Sequence, residues 1–481
     1  MKKKSNIQAD FLSSIVVFLV ALPLCLGISI ASGTPPIYGL ISGIIGGIII
    51  GFLGGAPLQV SGPAAGLAVM VYEFIASYGI ESLAALGIVV GIFQLSIFIF
   101  KLADYFKAIS PSLIKGLLGG IGLLILTSQV YVALDTSPVG GGLDNILKIP
   151  ESIVSYVFTT GEGRNSSVIA VITLLSIIIW GKFGGKASKI IPPPLFAVIV
   201  ATLSAMGLGF QIKFVSLPAN IMSELNLVNG GSFNFITPIA ILKMLGIAFV
   251  ATAETLLSTS AIDRLSKGQS NYNKEMMGQG IGNFVAGIFG ALPITGVIVR
   301  SSANIHAGAK TKWSAILHGF WLVIMVFVFS NILQYIPMSA LAGILIFTGW
   351  RLLDVGSIPA LIKKSKTEAA VYFVTLALIV SVDLLTGVVI GFIASLFLIA
   401  KLPKKFQAET KSDENEMTVN LSGEASFLQI PGFSKLFREL GGTKQITINT
   451  KGLTSKDWAF EENLEQKAME LETSGIKTKI I

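Results

Sequence analysis

Two short segments combine glycine, proline and a hydroxyl residue with the start of an apolar run. They lie at residues 54–66 and 292–304, and we call them the first and second broken elements. Each holds a hydroxyl residue followed by glycine, Ser61-Gly62 or Thr295-Gly296, and then residues able to begin a helix. A helix that begins inside a protein points unpaired N–H groups and a positive dipole end at whatever lies in front of it, which suits an anion. The pair therefore predicts an anion-binding site. The alternative is that both are glycine-rich packing kinks, which are common in membrane helices.

Glu254 is an acid inside a long apolar run. A carboxylate at the centre of a membrane span costs about 2.5–3.5 kcal/mol on insertion scales, so its presence needs a reason. With Ala251, Ser258 and Ala261 it shares a helical face otherwise made of small residues, which suits a bound ion or close approach of another element. Glu254 and Ser258 are our candidates for binding a coupling ion. The alternative is a structural acid, neutralised by protonation or by Arg300.

Arg300 falls about one turn into the second broken element. A fixed cation there would add to the helix dipole in attracting an anion, and the alternative role is to neutralise Glu254. His306, His318 and Glu73 are interpreted as packing or interface residues, so no metal site or cofactor is predicted. Cys25 is the only cysteine, which excludes a disulfide within the chain and a cysteine-based metal site.

The composition requires a membrane around these residues. The chain is 52% hydrophobic and 13% charged, with a mean hydropathy of +0.77, whereas about a quarter of the residues of soluble domains are charged. The net charge of +8 comes from short basic clusters between apolar runs, so it does not indicate a nucleic-acid partner. The apolar run after Asp10 lacks a cleavage site and is interpreted as a retained first span.

The apolar stretches predict about fourteen spans of an all-α polytopic membrane protein, with segments 3 and 10 broken. An even number places the Lys and Arg clusters on alternate loops, so both termini are predicted to be cytoplasmic. The predicted spans are 11–31, 37–54, 62–77, 83–100, 114–134, 167–180, 194–209, 237–261, 276–291, 296–308, 314–331, 339–353, 368–382 and 384–400.

The composition becomes polar after the last span. We predict a cytoplasmic N-terminus at 1–10, a transmembrane domain at 11–400, a linker at 401–416 and a small α/β module at 417–481. Within the module, alternation predicts strands and helical spacing predicts helices. The strands are placed at 417–421, 445–449 and 477–481, and the helices at 433–440 and 458–471.

Several motifs in order resemble the sulfate permease (SulP) family over residues 10–400. The two broken elements are similar to the third and tenth elements of that family, and residues 254–258 and 277–283 match its eighth and ninth. Leu22-Pro23-Leu24 fits the first. The tail resembles a short STAS (sulfate transporter and anti-sigma antagonist) domain, but residues 449–453 lack the Asp-x-Ser-Gly pattern that some STAS proteins use for phosphorylation.

The resemblance implies the fold of uracil-type transporters, with two inverted repeats of seven segments. Segments 1–4 and 8–11 would form a core domain that moves like an elevator against a gate domain of segments 5–7 and 12–14, in a homodimer. It implies that substrate binds between segments 3 and 10. The implied substrate-binding residues are Ala64, Ala65, Val299, Arg300 and Pro23.

The sequence thus predicts a secondary active transporter of a small anion, such as bicarbonate, sulfate or a dicarboxylate, in the plasma or inner membrane. Sodium-coupled bicarbonate members of the family have Asp where this chain has Glu254, so a proton is favoured over sodium as the coupling ion. A chloride-type channel and a nucleobase carrier on the same fold are the alternatives. An enzyme is not predicted, because no pair of acids, histidine cluster or activated nucleophile is present.

Overall fold

The computed structural model describes residues 2–103, 110–185, 187–189, 191–216, 226–266, 268–400, 406–412, 416–426, 429–437, 445–456, 458–473 and 475–481. Up to residue 400 these residues are mostly helical. The helices of this part are α1 Lys2–Ala31, α2 Pro36–Leu53, α3 Ala65–Tyr78, α4 Ser82–Ile99, α5 Pro111–Ala133, α6 Gly142–Ile153, α7 Arg164–Phe183, α8 Pro193–Gly207, α9 Pro238–Ser266, α10 Tyr272–Ile288, α11 Ile298–His306, α12 Trp313–Val328, α13 Ser330–Leu333, α14 Met338–Leu353, α15 Ile358–Lys364, α16 Lys366–Ser381 and α17 Leu384–Ala400.

Each predicted span overlaps a helix of this part of the chain. Among the described residues, seven helices are long and apolar enough to cross a membrane, and four shorter apolar helices accompany them. The protein is therefore a helical, multi-pass membrane protein, while the count of fourteen spans and the inverted repeats stay predictions. Sequence reasoning missed α6 and the π-helical turn Val154–Thr159 that continues it, because only Asn145 and Ser152 of α6 are buried.

Both broken elements consist of a short strand followed by a half-helix. Strand β1 (Ser61–Pro63) leads into α3, and β2 (Ile294–Gly296) leads into α11. The two strands pair antiparallel, with Ser61 opposite Gly296 and Pro63 opposite Ile294. This pairing lets extended backbone lie buried in the membrane domain with partners for its polar groups, as buried irregular segments require. It also brings together two segments that lie more than two hundred residues apart in the chain.

Residues 2–10 are helical, because α1 begins at Lys2 and continues through the predicted first span. Asp10 lies buried on this helix, and its carboxylate accepts hydrogen bonds from the backbone N–H groups of Lys310 (2.7 Å) and Thr311 (3.0 Å). The Thr311 hydroxyl donates to the same carboxylate. The start of α1 is thus tied to the loop that follows α11.

The tail contains a four-stranded sheet in the order β3-β4-β5-β6. Strand β3 (Gln407–Ser412) runs antiparallel to β4 (Glu416–Ala425), which is parallel to β5 (Gln445–Lys456), and β6 (Lys477–Ile480) pairs parallel to β5. Helices α18 (Ile430–Lys435) and α19 (Trp458–Thr473) contribute Phe433 and Phe460 to the apolar core of this module. The order of strands and helices is that of an α/β module.

One boundary of the tail was wrong. The predicted linker, 401–416, includes β3, which is an edge strand of the sheet rather than a connection. The strand was not recognised from the sequence because most residues of β3 are polar, and only one of its faces packs on the core. The predicted helix at 433–440 overlaps α18 but extends into residues 438–440, which lie outside the described part of the chain.

Candidate binding site between the broken elements

The two half-helices begin without capping side chains. Ala64 precedes α3 with φ −108° and ψ 132°, and Val297 precedes α11 with φ −110° and ψ 116°. Neither side chain can accept a hydrogen bond, whereas most helices use Ser, Thr, Asp or Asn at this position. Within the described chain, both helices therefore begin without a side-chain cap for their first N–H groups, which carry the positive end of each helix dipole.

Side chains of α11 hold the backbone of the first broken element. Arg300 Nη2 donates to the carbonyl of Pro63 (3.2 Å), and Ser301 Oγ accepts from the N–H of Val60 (2.9 Å). Asn304 Nδ2 donates to the carbonyl of Leu58 (3.0 Å). All three α11 side chains are fully buried. Arg300 thus directs its guanidinium at the backbone of β1, and it is not among the residues that line the cavity described below.

A second set of side chains, on α10, supports the same backbone from another direction. The Glu275 carboxylate accepts hydrogen bonds from the N–H groups of Gly55 (2.9 Å) and Ala56 (3.0 Å). It also accepts from the side-chain amides of Gln59 and Gln279, both at 3.0 Å. This carboxylate is buried, and four donors satisfy it without a cation.

The next turns of α10 continue this support. Gln279 donates to Ser61 Oγ (2.7 Å) at the start of β1. Asn283 accepts from the N–H of Ile294 (2.7 Å) and donates to its carbonyl (2.8 Å), so it pairs with β2 as a neighbouring strand would. The residues at 275, 279 and 283 are spaced by four and share one helical face. One face of α10 therefore positions both broken elements.

Helix α9 presents one polar face to the broken elements and another to a cavity. Thr255 Oγ1 accepts from the N–H of Gly296 (3.1 Å), and Thr259 Oγ1 donates to the Gln59 side chain (2.8 Å). The neighbouring face carries Glu254 and Ser258, which both line the cavity. Glu254 Oε2 and Ser258 Oγ are buried and have no hydrogen-bond partner among the described residues.

A small cavity lies at the start of both half-helices. Its wall combines these half-helix starts with α9 and with apolar side chains from α1, α5 and α14. The lining residues are Leu24, Ile28, Ala65, Gly66, Leu118, Glu254, Leu257, Ser258, Val297, Ile298, Val299, Thr348 and Leu352. Free backbone donors and two unpartnered oxygens thus face one small space, an arrangement able to bind an anion together with a proton or cation.

The cavity brings together four of the residues that sequence reasoning selected: Ala65, Val299, Glu254 and Ser258. The other three lie outside its lining. Ala64 is 2% exposed and packs in the main apolar core. Pro23 is buried in α1 beside Leu24, which does line the cavity.

Arg300 also lies outside the cavity lining, and it does not neutralise Glu254. Its guanidinium donates to Pro63, and Glu254 Oε2 has no hydrogen-bond partner in the described chain. His318, interpreted as a packing residue, is fully buried, and its Nδ1 lies 2.6 Å from the carbonyl of Ala315. Within the described residues no group of three or more His, Cys, Asp or Glu side chains could hold a metal ion.

Sequence reasoning missed Glu275 and assigned no role to Asn283. A signal was present, since acid, amide and amide recur at intervals of four in an otherwise glycine-rich helix. Polar groups at this spacing inside a membrane protein indicate one buried face that pairs with polar backbone. The partners could not be read from the sequence, because they lie in the two broken elements, whose approach to α10 depends on the fold.

The sequence is similar to that of known membrane transport proteins. The family model described as "Sulfate permease family" matches residues 7–375. The chain is 28% identical to YbaR of Bacillus subtilis, over 99% of this chain and 94% of YbaR. It is 26% identical to the bicarbonate transporter BicA of Picosynechococcus, over 85% of this chain and 74% of BicA.

A solved structure shares the fold. The transmembrane domain of a cyanobacterial bicarbonate transporter, BicA, superposes with a TM-score of 0.69 at 24% identity, covering 81% of this chain and 97% of that domain. The family model spans most of the chain, both broken elements included, and its members are transporters rather than enzymes. This chain belongs to the sulfate permease family.

Proposed function

We propose that this protein is a secondary active transporter of a small inorganic or carboxylate anion, which binds in the cavity between the two half-helix starts. The observation that carries the proposal is the pair of uncapped N-termini opening on one cavity. The family is named for sulfate permeation and BicA is named a bicarbonate transporter, which supports an anionic substrate.

Backbone N–H groups at Ala65 and Val299 are proposed to donate to the anion, with the Ser258 hydroxyl as a further donor. Donors fixed at helix starts need little reorganisation when an anion arrives, and the surrounding apolar residues strengthen the interaction by excluding water. Arg300 is proposed to attract the anion through its positive charge, and not as a direct ligand, because it is not among the lining residues. Pro23 and Ala64 are proposed to shape the site through packing.

Glu254 is proposed to carry the coupling proton. Its carboxylate lies against Gly66 in the first turn of α3, so an ionised Glu254 would occupy the positive helix end that the substrate needs. Two negative charges about 4 Å apart repel by about 4 kcal/mol at an effective dielectric constant of about 20. The anion therefore binds together with a protonated Glu254, and proton and anion move in the same direction. Sodium at Glu254 and Ser258 would compensate the charge in the same way, and it is the alternative coupling ion.

The proposed architecture is that implied by the family resemblance. Fourteen spans form 7+7 inverted repeats, and a core domain carrying the site moves against the gate domain in an elevator manner. The protein is proposed to be a homodimer in the cell membrane with both termini cytoplasmic, and the α/β tail is proposed to be a short STAS-like domain.

The test is uptake of radiolabelled anions into proteoliposomes that contain the purified full chain, with pH and sodium gradients imposed separately. We expect saturable uptake that an inward proton gradient drives above equilibrium, and little change when potassium replaces sodium. Unsaturable, uncoupled flux would instead indicate a channel. Absence of uptake for every anion in a panel of bicarbonate, sulfate, chloride and short carboxylates would overturn the proposal.

A further inference from the structure

The cavity offers hydrogen-bond donors on only part of its wall. The uncapped half-helix starts and Ser258 supply donors, and they belong to α3, α11 and α9. The rest of the wall comes from α1, α5 and α14 and is made of large apolar side chains with one threonine. These residues are Leu24, Ile28, Leu118, Thr348 and Leu352.

The threonine does not add a donor to this part of the wall. Thr348 Oγ1 donates its hydroxyl hydrogen to the carbonyl of Ile344, one turn earlier on α14 (2.9 Å). No lysine, arginine or histidine is among the lining residues. Arg300 is fully buried, and it donates to the carbonyl of Pro63 in β1. Within the described chain, the part of the cavity formed by α1, α5 and α14 thus provides neither a cation nor a free donor to an anion.

A cavity with hydrogen-bond donors on one side and apolar side chains on the other discriminates between anions by the distribution of their charge. Sulfate spreads two charges over four oxygens, and a dicarboxylate carries charge at both ends, so either would press charged oxygens against leucine side chains. Burying a charged group without a partner is strongly unfavourable. A monocarboxylate has one charged edge for the half-helix starts, and a short aliphatic remainder can pack against the leucines.

From this asymmetry we infer that the preferred substrate is a short aliphatic monocarboxylate, with its carboxylate at the starts of α3 and α11 and its alkyl part against α1, α5 and α14. The inference rests on the proposed function and narrows its substrate class. It ranks acetate and propionate above bicarbonate, whose hydroxyl group would face the apolar residues, and above sulfate and succinate.

The test is isothermal titration calorimetry on the detergent-purified full chain at constant ionic strength. Formate, acetate, propionate, bicarbonate, sulfate and succinate are titrated separately. Each added methylene that becomes buried contributes about 0.8 kcal/mol, so affinity should rise about fourfold from formate to acetate and again to propionate. Sulfate and succinate should bind at least about tenfold more weakly than propionate.

Two substitutions of one residue serve as a matched pair. Leu352→Met preserves an apolar side chain of similar volume, and such exchanges are usually tolerated. Leu352→Gln places a polar amide of similar size in the wall. We expect Leu352→Met to retain the rise from formate to propionate, and Leu352→Gln to flatten it.

The outcomes separate this inference from the proposed function. If bicarbonate, sulfate or succinate binds more tightly than propionate, or affinity is flat along the wild-type series, the monocarboxylate inference is wrong while anion transport stands. If no anion of the panel binds the folded protein, the proposed function itself fails. The wild-type ranking decides the matter even if a Leu352 variant does not fold.

Discussion

The Glu254 carboxylate lies directly against Gly66 in the first turn of α3. A Cβ atom added to Gly66 would stand 2.9 Å from Glu254 Oε2 and 3.0 Å from Oε1, closer than ordinary van der Waals contact. The acid on α9 and the glycine on α3 therefore fit together only because the glycine has no side chain. This contact joins the proposed proton carrier to one of the two proposed anion-binding helix starts.

Gly66→Ala should reduce transport, because its methyl group must displace the Glu254 carboxylate from the first turn of α3. Misplacement of a functional group by about 1 Å can cost up to about a hundredfold in rate, and we expect a loss of at least about tenfold in kcat/KM for anion uptake. Gly207→Ala is the matched control, since a Cβ at Gly207 meets nothing within 4 Å. Equal uptake by the two variants would contradict the proposed role of the Glu254–Gly66 contact.

Ala65→Phe and Ala64→Phe should fail in different ways. Ala65 lines the cavity, so a phenyl ring there should block anion binding while the thermal unfolding temperature of the purified protein stays near that of wild type. Ala64 is packed in the core, where overpacking typically costs about 1–3 kcal/mol, so the same substitution should lower stability. Thermal unfolding of the detergent-solubilised protein measures stability, and isothermal titration calorimetry measures anion binding. Wild-type affinity in folded Ala65→Phe would remove Ala65 from the site.

Glu275→Gln should destabilise the first broken element. An amide oxygen cannot replace two carboxylate oxygens that together accept four hydrogen bonds, and each buried donor left without a partner costs about 1–3 kcal/mol. We expect a lower unfolding temperature and weaker anion binding together. Glu368→Gln is the control, because the Glu368 side chain is also buried yet accepts a hydrogen bond from one side chain, Ser110. A smaller effect at Glu275 than at Glu368 would contradict the supporting role of Glu275.

Two substitutions of Arg300 should distinguish the effect of its charge on anion binding from the effect of its hydrogen bond on stability. A buried positive charge beside β1 attracts an anion in a cavity that excludes water, so Arg300→Met should weaken anion binding by about tenfold. Arg300→Lys keeps the charge and should bind within about threefold of wild type, although both variants lose the hydrogen bond to Pro63 and some stability. Arg351→Met, on the exposed end of α14, controls for a general loss of positive charge. If folded Arg300→Met keeps wild-type affinity, Arg300 is purely structural.

The parts of the molecule that were predictable from sequence are those set by local pattern. Apolar length placed the helices, and glycine, proline and hydroxyl residues marked where segments 3 and 10 change from strand to helix. A lone acid in an apolar run marked Glu254, since burial of a carboxylate in a membrane demands a reason. These signals depend only on neighbours along the chain, so the fold could be approached without tertiary information.

The direction of a side chain was not predictable in the same way. Arg300 and Val299 are adjacent, yet Val299 lines the cavity while Arg300 turns to Pro63, because successive helical residues lie about 100° apart. Ala64 and Ala65 also point in different directions: Ala64 packs in the core, and Ala65 lines the cavity. Glu275 escaped notice because its partners are backbone N–H groups more than two hundred residues away, and backbone donors leave no mark in a sequence.

Glu254→Gln should separate anion binding from proton coupling. The amide is close in size and remains beside Gly66, but it is neutral at every pH and cannot release a proton. The variant should bind anion at least as tightly as wild type, because the negative charge that opposes the anion is gone. It should exchange anion across the membrane but should not accumulate it when an inward proton gradient is imposed.

The measurement is uptake of a labelled anion into proteoliposomes, first with a proton gradient and then under equilibrium exchange. Glu73→Gln is the matched control, because Glu73 is an exposed acid on α3 outside the cavity lining and should leave proton-driven uptake intact. Wild-type affinity should fall as the pH rises and Glu254 ionises, whereas the affinity of Glu254→Gln should not change with pH over that range. Proton-driven accumulation by Glu254→Gln, or strict sodium dependence of the wild-type protein, would show that Glu254 is not the proton carrier.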